Sequence, residues 1–95
     1  MKVELLYKKE DINLVNWIET ITASRQLMLD NQSLICKVTS NRDEIIGYFD
    51  PQRLGQAIIN LIENSIRYTP KNGSIFINLF DERSDILIEL KIHGT

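Results

Sequence analysis

Asp50-Pro51-Gln52-Arg53-Leu54-Gly55-Gln56-Ala57-Ile58-Ile59-Asn60-Leu61-Ile62-Glu63-Asn64-Ser65-Ile66-Arg67-Tyr68-Thr69-Pro70 is the stretch on which the fold turns. Asp50-Pro51 is the clearest helix start in the chain: Asp caps exposed backbone N–H groups, and Pro at the first helical position gives up an N–H that has no partner there. Thr69-Pro70-Lys71-Asn72-Gly73 ends the helix, with Pro as breaker and Asn-Gly as turn. Between these signals, Leu54, Ile58, Leu61, Ile62 and Ser65 share one face, which must pack on something apolar. Gln56, Asn60, Asn64 and Arg67 recur at i, i+4, i+8 and i+11 and form a second, polar stripe well away from the apolar centre.

Working outward, short strands surround this helix. Ser74 to Phe80 and Ile86 to Ile92 alternate apolar and polar residues, and Asp81 to Asp85 reads as the hairpin loop between them. Upstream, Ser33 to Thr39 and Ile45 to Phe49 are strand-like about a turn at Ser40 to Asp43, which predicts a second hairpin. A helical pattern runs from Ile12 to about Asp30, with Leu14, Ile18 and Ile21 on one stripe and Val15, Trp17 and Met28 widening it. Asp11 is placed to cap that helix, and Val3 to Tyr7 is β-like. Two long helices and about five strands imply an α+β, two-layer sandwich, with the helices on one face of a mixed, mainly antiparallel sheet.

Composition narrows the function. The 95 residues leave room for one domain, expected to be 1–95, and one core. The apolar fraction of 43% and charged fraction of 25% are those of a soluble globular protein. A net charge of −2 with mixed signs disfavours nucleic acid as partner. The single cysteine, Cys36, lies in an apolar run and reads as a small core hydrophobe. With the single histidine it is too few for a Cys/His metal site. No apolar stretch approaches the ~20 residues that span a bilayer, and Met1 to Leu5 alternates with an acid, unlike a signal peptide. A cytoplasmic setting is expected.

The polar stripe carries the chemistry. Asn is a mediocre helix former whose side chain competes for backbone hydrogen bonds, so two of them one turn apart mid-helix need a reason. On composition alone a plain solvated face accounts for them. The alternative is a ligand-holding face. There the Asn oxygen is a hard neutral ligand for Mg²⁺, Arg67 gives a charge-assisted phosphate contact, and Tyr68 offers a ring for a base to stack on.

The whole stretch from Asp50 to Pro70 resembles the N box of sensor histidine kinases: an acid, a Leu-x-Gln step, Asn-Leu-x-x-Asn-Ala, a basic residue, Tyr-Thr-Pro and a glycine-bearing turn. Ser65 stands in the Ala place. Lys9 to Leu14 resembles the start of that family's first ATP-domain helix, and Gly73-Ser74-Ile75 its glycine turn and following strand. The resemblance covers essentially the whole chain and implies an incomplete Bergerat-type ATP-binding (HATPase) fold. It implies Asn64 as the Mg²⁺ ligand and Asn60 along the triphosphate and metal. Arg67 would lie on a phosphate, Tyr68 against the adenine, and ATP with Mg²⁺ would be the cofactor. It also implies a parent that phosphorylates a histidine of a phosphoacceptor domain and signals to a response regulator.

Two departures matter. Aligning Gly94 with the first glycine of the family's next box puts Ile92 where an Asp should accept from the adenine amino group, a loss of about 1–3 kcal/mol. The chain also stops at Thr95, before that box is complete and before the ATP lid and the second box, so it is expected to bind nucleotide weakly and not to catalyse alone. His93 lacks the following acid and Pro of a phosphoacceptor. An uncovered sheet edge is expected to favour self-association. The competing reading is a degenerate, non-catalytic docking module on the same fold.

Overall fold

In the structure, a computed structural model that describes residues 10–82 and 85–94, the central helix α3 runs unbroken over Pro51–Tyr68. Its start is as the sequence implies. Asp50 is extended and almost fully buried, and its Oδ1 accepts from the backbone N–H of Gln52 at 3.0 Å and of Arg53 at 3.3 Å. Leu54, Ile58, Ile62, Ser65 and Ile66 are buried along one side, while Leu61 sits at the margin. The helix ends where the Thr69 N–H and hydroxyl both donate to the Ser65 carbonyl.

Strands β4 (Ser74–Glu82) and β5 (Asp85–His93) form the expected antiparallel hairpin. It is tighter than the alternation suggests: pairing continues to Glu82 and Asp85, so most of the loop expected at 81–85 is ladder. The second expected hairpin does not form. Strand β2 (Ile35–Ser40) pairs in parallel with β4, from Ile35 opposite Ser74 to Ser40 opposite Leu79. Strand β3 (Ile46–Phe49) instead pairs antiparallel with β1 (Glu10–Asn13). Two sheets result, β1-β3 and β2-β4-β5. The reason is burial. Ile45, Gly47 and Phe49 point inward, and a Cβ on Gly47 would lie 3.0 Å from the Phe49 ring, so β3 is shaped to seat that ring against Trp17 (centroids 5.0 Å).

The pattern from Ile12 to Asp30 is two helices rather than one: α1 (Leu14–Ala23) and α2 (Gln26–Asn31). Asp11 lies in β1 opposite Tyr48, and the cap of α1 is Asn13, whose Oδ1 accepts from Asn16 N at 3.4 Å. The break falls at Ser24-Arg25. The hydroxyls of Thr20, Thr22 and Ser24 donate to carbonyls three or four residues back, a competition with helix propagation that ends α1 without Gly or Pro. Leu29, not Met28, is the α2 residue that enters the core; Met28 is exposed. The β-like stretch from Val3 to Tyr7 lies outside the described residues.

A single core joins the layers. Leu14, Ile18 and Leu29 meet Leu54, Ile58, Ile62 and Ile66 from α3, and Ile75, Ile77, Leu79 and Ile88 from the sheet. The architecture is α+β, helices packed on mixed sheets. Cys36 is half-buried in this layer, and burial pushes its thiol pKa up. No helix among the described residues is long and apolar enough to cross a membrane.

Candidate functional site

At about 100° per residue, the buried residues of α3 occupy an arc centred roughly opposite Gln56, Asn60, Asn64 and Arg67. All four are exposed, as is Tyr68 at 74%. Gluing the apolar side to the sheet fixes the helix's rotation, and that rotation turns the carboxamides outward. Gln56 Nε2 donates to Asn60 Oδ1 at 3.2 Å, which aligns the first two amides along the helix. Among the described residues, the Asn64 and Arg67 side chains have no hydrogen-bond or ion-pair partner. They are free to meet a ligand.

Glu63 borders the stripe on its α1–α2 side and is not simply solvated. Its Oε2 accepts from Arg25 Nε at 3.1 Å, while Arg25 also donates to the carbonyl and hydroxyl oxygens of Ser24. Arg25 sits in the turn between α1 and α2, so this pair ties that turn to the flank of α3. Sequence reasoning missed Arg25 because its partner is 38 residues away and no local pattern links them.

The other flank is the exit of α3. Gly73 is wedged there: an added Cβ would lie 2.7 Å from the His93 carbonyl oxygen and 2.8 Å from that of Pro70. A Cβ on Gly94 would meet the Pro70 ring at 3.4 Å. The end of β5 is thereby held beside the end of α3. Ile92, opposite Ile75 in the ladder, belongs to the helix-facing side of β5 and is 43% exposed there. Its side chain brings apolar surface and no hydrogen-bonding group. His93 lies on the other side of the sheet, edge-on to Phe76.

The donor set suits a phosphate-borne cation rather than a protein-caged one. Among the described residues no three His, Cys, Asp or Glu side chains cluster as metal ligands. A neutral carboxamide oxygen from Asn64, in open solvent, is the kind of single protein ligand that Mg²⁺ accepts when phosphates and waters complete its shell. The arrangement fits such an ion.

No family model matches the chain. It is 28% identical over 86 residues to the sensor protein KdpD of Clostridium acetobutylicum, covering 90% of this chain and 9% of that protein. It is 29% identical over 82 residues to histidine kinase P4 of Formosa agariphila, covering 86% and 6%. Over 48 residues it is 53% identical to the adaptive-response sensory kinase SasA of Synechococcus elongatus, covering 50% and 12%. The chain thus spans a small part of the curated relatives it matches. Among solved structures, the catalytic domain of histidine kinase ThkA superposes with a TM-score of 0.86 at 20% identity, over 93% of this chain and 60% of that one. Acinetobacter baumannii histidine kinase AdeS superposes at 0.79 with 22% identity, over 97% and 44%. In sequence the chain resembles sensor histidine kinases, and in fold it resembles the catalytic domain of a histidine kinase.

Proposed function

We propose that the chain is a single-domain unit, the N-terminal part of the ATP-binding domain of a two-component sensor histidine kinase, and that α3 holds Mg-nucleotide. Asn64 takes the Mg²⁺, Asn60 lines the triphosphate, Arg67 contacts a phosphate and Tyr68 packs against the adenine. The parent protein uses Mg-ATP to phosphorylate a histidine of its phosphoacceptor domain and passes the phosphoryl group to a response regulator, on the cytoplasmic side. One structural neighbour, ThkA, was solved in complex with its response regulator TrrA. By itself this chain binds nucleotide weakly and does not catalyse transfer.

The observation that carries this reading is the outward face of α3. Asn60, Asn64 and Arg67 are exposed together on an unbroken helix whose opposite side is buried. Calorimetric titration with Mg-ADP and Mg-ATP tests it. Heat of binding in the wild-type chain that disappears in Asn64→Ala is the expected result, and binding unaffected by that substitution refutes the assigned site.

A second reading, a non-catalytic docking module on the same fold, is favoured by Ile92, which presents an apolar side chain at the end of β5 beside the α3 exit. Absence of nucleotide binding in both proteins, with the fold intact, would select it.

A further inference from the structure

On a helix surface, a glutamate four residues before an arginine is the arrangement that pairs, because the two side chains lie about 40° apart around the axis and one turn apart along it. Glu63 and Arg67 of α3 have that spacing and that order. They do not pair. Glu63 Oε2 instead accepts from Arg25 Nε at 3.1 Å, and the Arg67 side chain has no hydrogen-bond or ion-pair partner among the described residues.

The fold makes the distant partner the better placed of the two. Arg25 lies in the break between α1 and α2, where its carbonyl accepts from the N–H of Leu29, a core residue, at 3.1 Å. Its Nη1 also donates to the carbonyl and hydroxyl oxygens of Ser24, each at 3.3 Å. Backbone and guanidinium are therefore both anchored independently of Glu63, so little further freedom is lost in meeting it. The Arg25 side chain is 25% exposed and that of Glu63 37%, which shields the pair in part from water. Arg67, exposed in the last turn of α3, offers the carboxylate only a contact in open solvent, where an ion pair is worth little.

We propose that Arg25 is a positioning residue for the α3 site: by holding the Glu63 carboxylate at the α1–α2 flank, it keeps Arg67 open for a phosphate group. The inference rests on the reading of α3 as a nucleotide-holding face. With Arg25 in place, the one anion bordering the stripe is compensated from outside it, and the stripe itself presents neutral amides and a free cation. Without Arg25, the released carboxylate turns to its neighbour at i+4. It then occupies Arg67 and opposes an incoming phosphate by like charge.

The test uses the full chain, isotope-labelled and followed by NMR in two arms. Without ligand, Glu63→Gln should leave the Arg67 Nε–Hε signal in place in the wild-type background and move it in the Arg25→Ala background, where alone Glu63 reaches Arg67. With Mg-ADP, Arg25→Ala should bind about tenfold more weakly than the wild type, the factor for losing one charge-assisted contact, and R25A/E63Q should regain most of that affinity. The rescue separates positioning from support: both variants lack the ion pair, so a purely structural role predicts equal weakness in the two. Four results would each overturn the proposal: an Arg67 signal that responds to E63Q in the wild-type background, one that fails to respond in R25A, R25A affinity equal to the wild type, or a double variant no tighter than R25A. Failure of the wild type to bind Mg-ADP is a separate result, which removes the nucleotide reading and this inference with it.

Discussion

Replacing Asp50 by Ala removes the cap of the helix on which the candidate site is built. The carboxylate is 5% exposed and satisfies two backbone N–H groups, those of Gln52 and Arg53, at 3.0 and 3.3 Å. Without it both donors lose their acceptor at a partly buried helix end, and such a loss costs about 1–2 kcal/mol. The accompanying ion pair to Arg53 Nε spans 3.8 Å and its guanidinium is largely in water, so it adds little. For a domain of this size each kcal/mol lowers Tm by about 4–8 °C. Asp50→Ala is therefore expected to melt about 4–16 °C below the wild type, with a lower urea midpoint and an unchanged m-value. Asp50→Asn keeps the acceptor oxygen and should recover most of the difference. The cap lies more than two turns from Asn60, so Mg-nucleotide affinity measured well below Tm should not change. Equal destabilisation by Asn and Ala would refute the capping argument, as would an Ala variant as stable as the wild type.

Ile62, fully buried at the middle of α3, should lose about 0.5–1.5 kcal/mol as Ile62→Val, read from the urea midpoint. Gly73→Ala should cost about 1–3 kcal/mol because its methyl group would press on two backbone carbonyls, whereas Gly94→Ala, with room to spare, should change stability by less than about 0.5 kcal/mol. Glu89 should titrate by NMR below the ordinary glutamate range, and Asn78→Ala should move its midpoint up. The sign follows from linkage: a carboxyl depressed in the folded state stabilises above its unfolded pKa, and that contribution fades as pH falls through the folded value.

What the sequence made legible was local. The start of α3 needed only Asp50 and Pro51, its buried side only the spacing of Leu54, Ile58 and Ile62, and the β4-β5 hairpin only alternation. The polar stripe could be placed on the solvent side because burial of one helix face dictates where the other points. Three features escaped. The partner of β2 is β4, across the whole of α3, whereas adjacency in sequence favoured a hairpin with β3. The first helix breaks at Ser24-Arg25 through hydroxyl-to-carbonyl bonds, which leave no Gly or Pro as a marker. Arg25 joins the margin of the site only because tertiary packing brings it to Glu63.

The parallel pairing of β2 with β4 also bears on how the chain is made. Each residue of β2 waits for a neighbour 39 positions later, so no part of the three-stranded sheet can close until Ser74 has been synthesised. At ribosomal speeds, the 34 positions from Ser40 to Ser74 leave β2 unpartnered for roughly 2–7 s. During that interval the apolar side of α3 has no complete floor to rest on. A nascent chain stalled before Ser74 should therefore be protease-sensitive throughout, and one stalled well past His93 should resist as a unit.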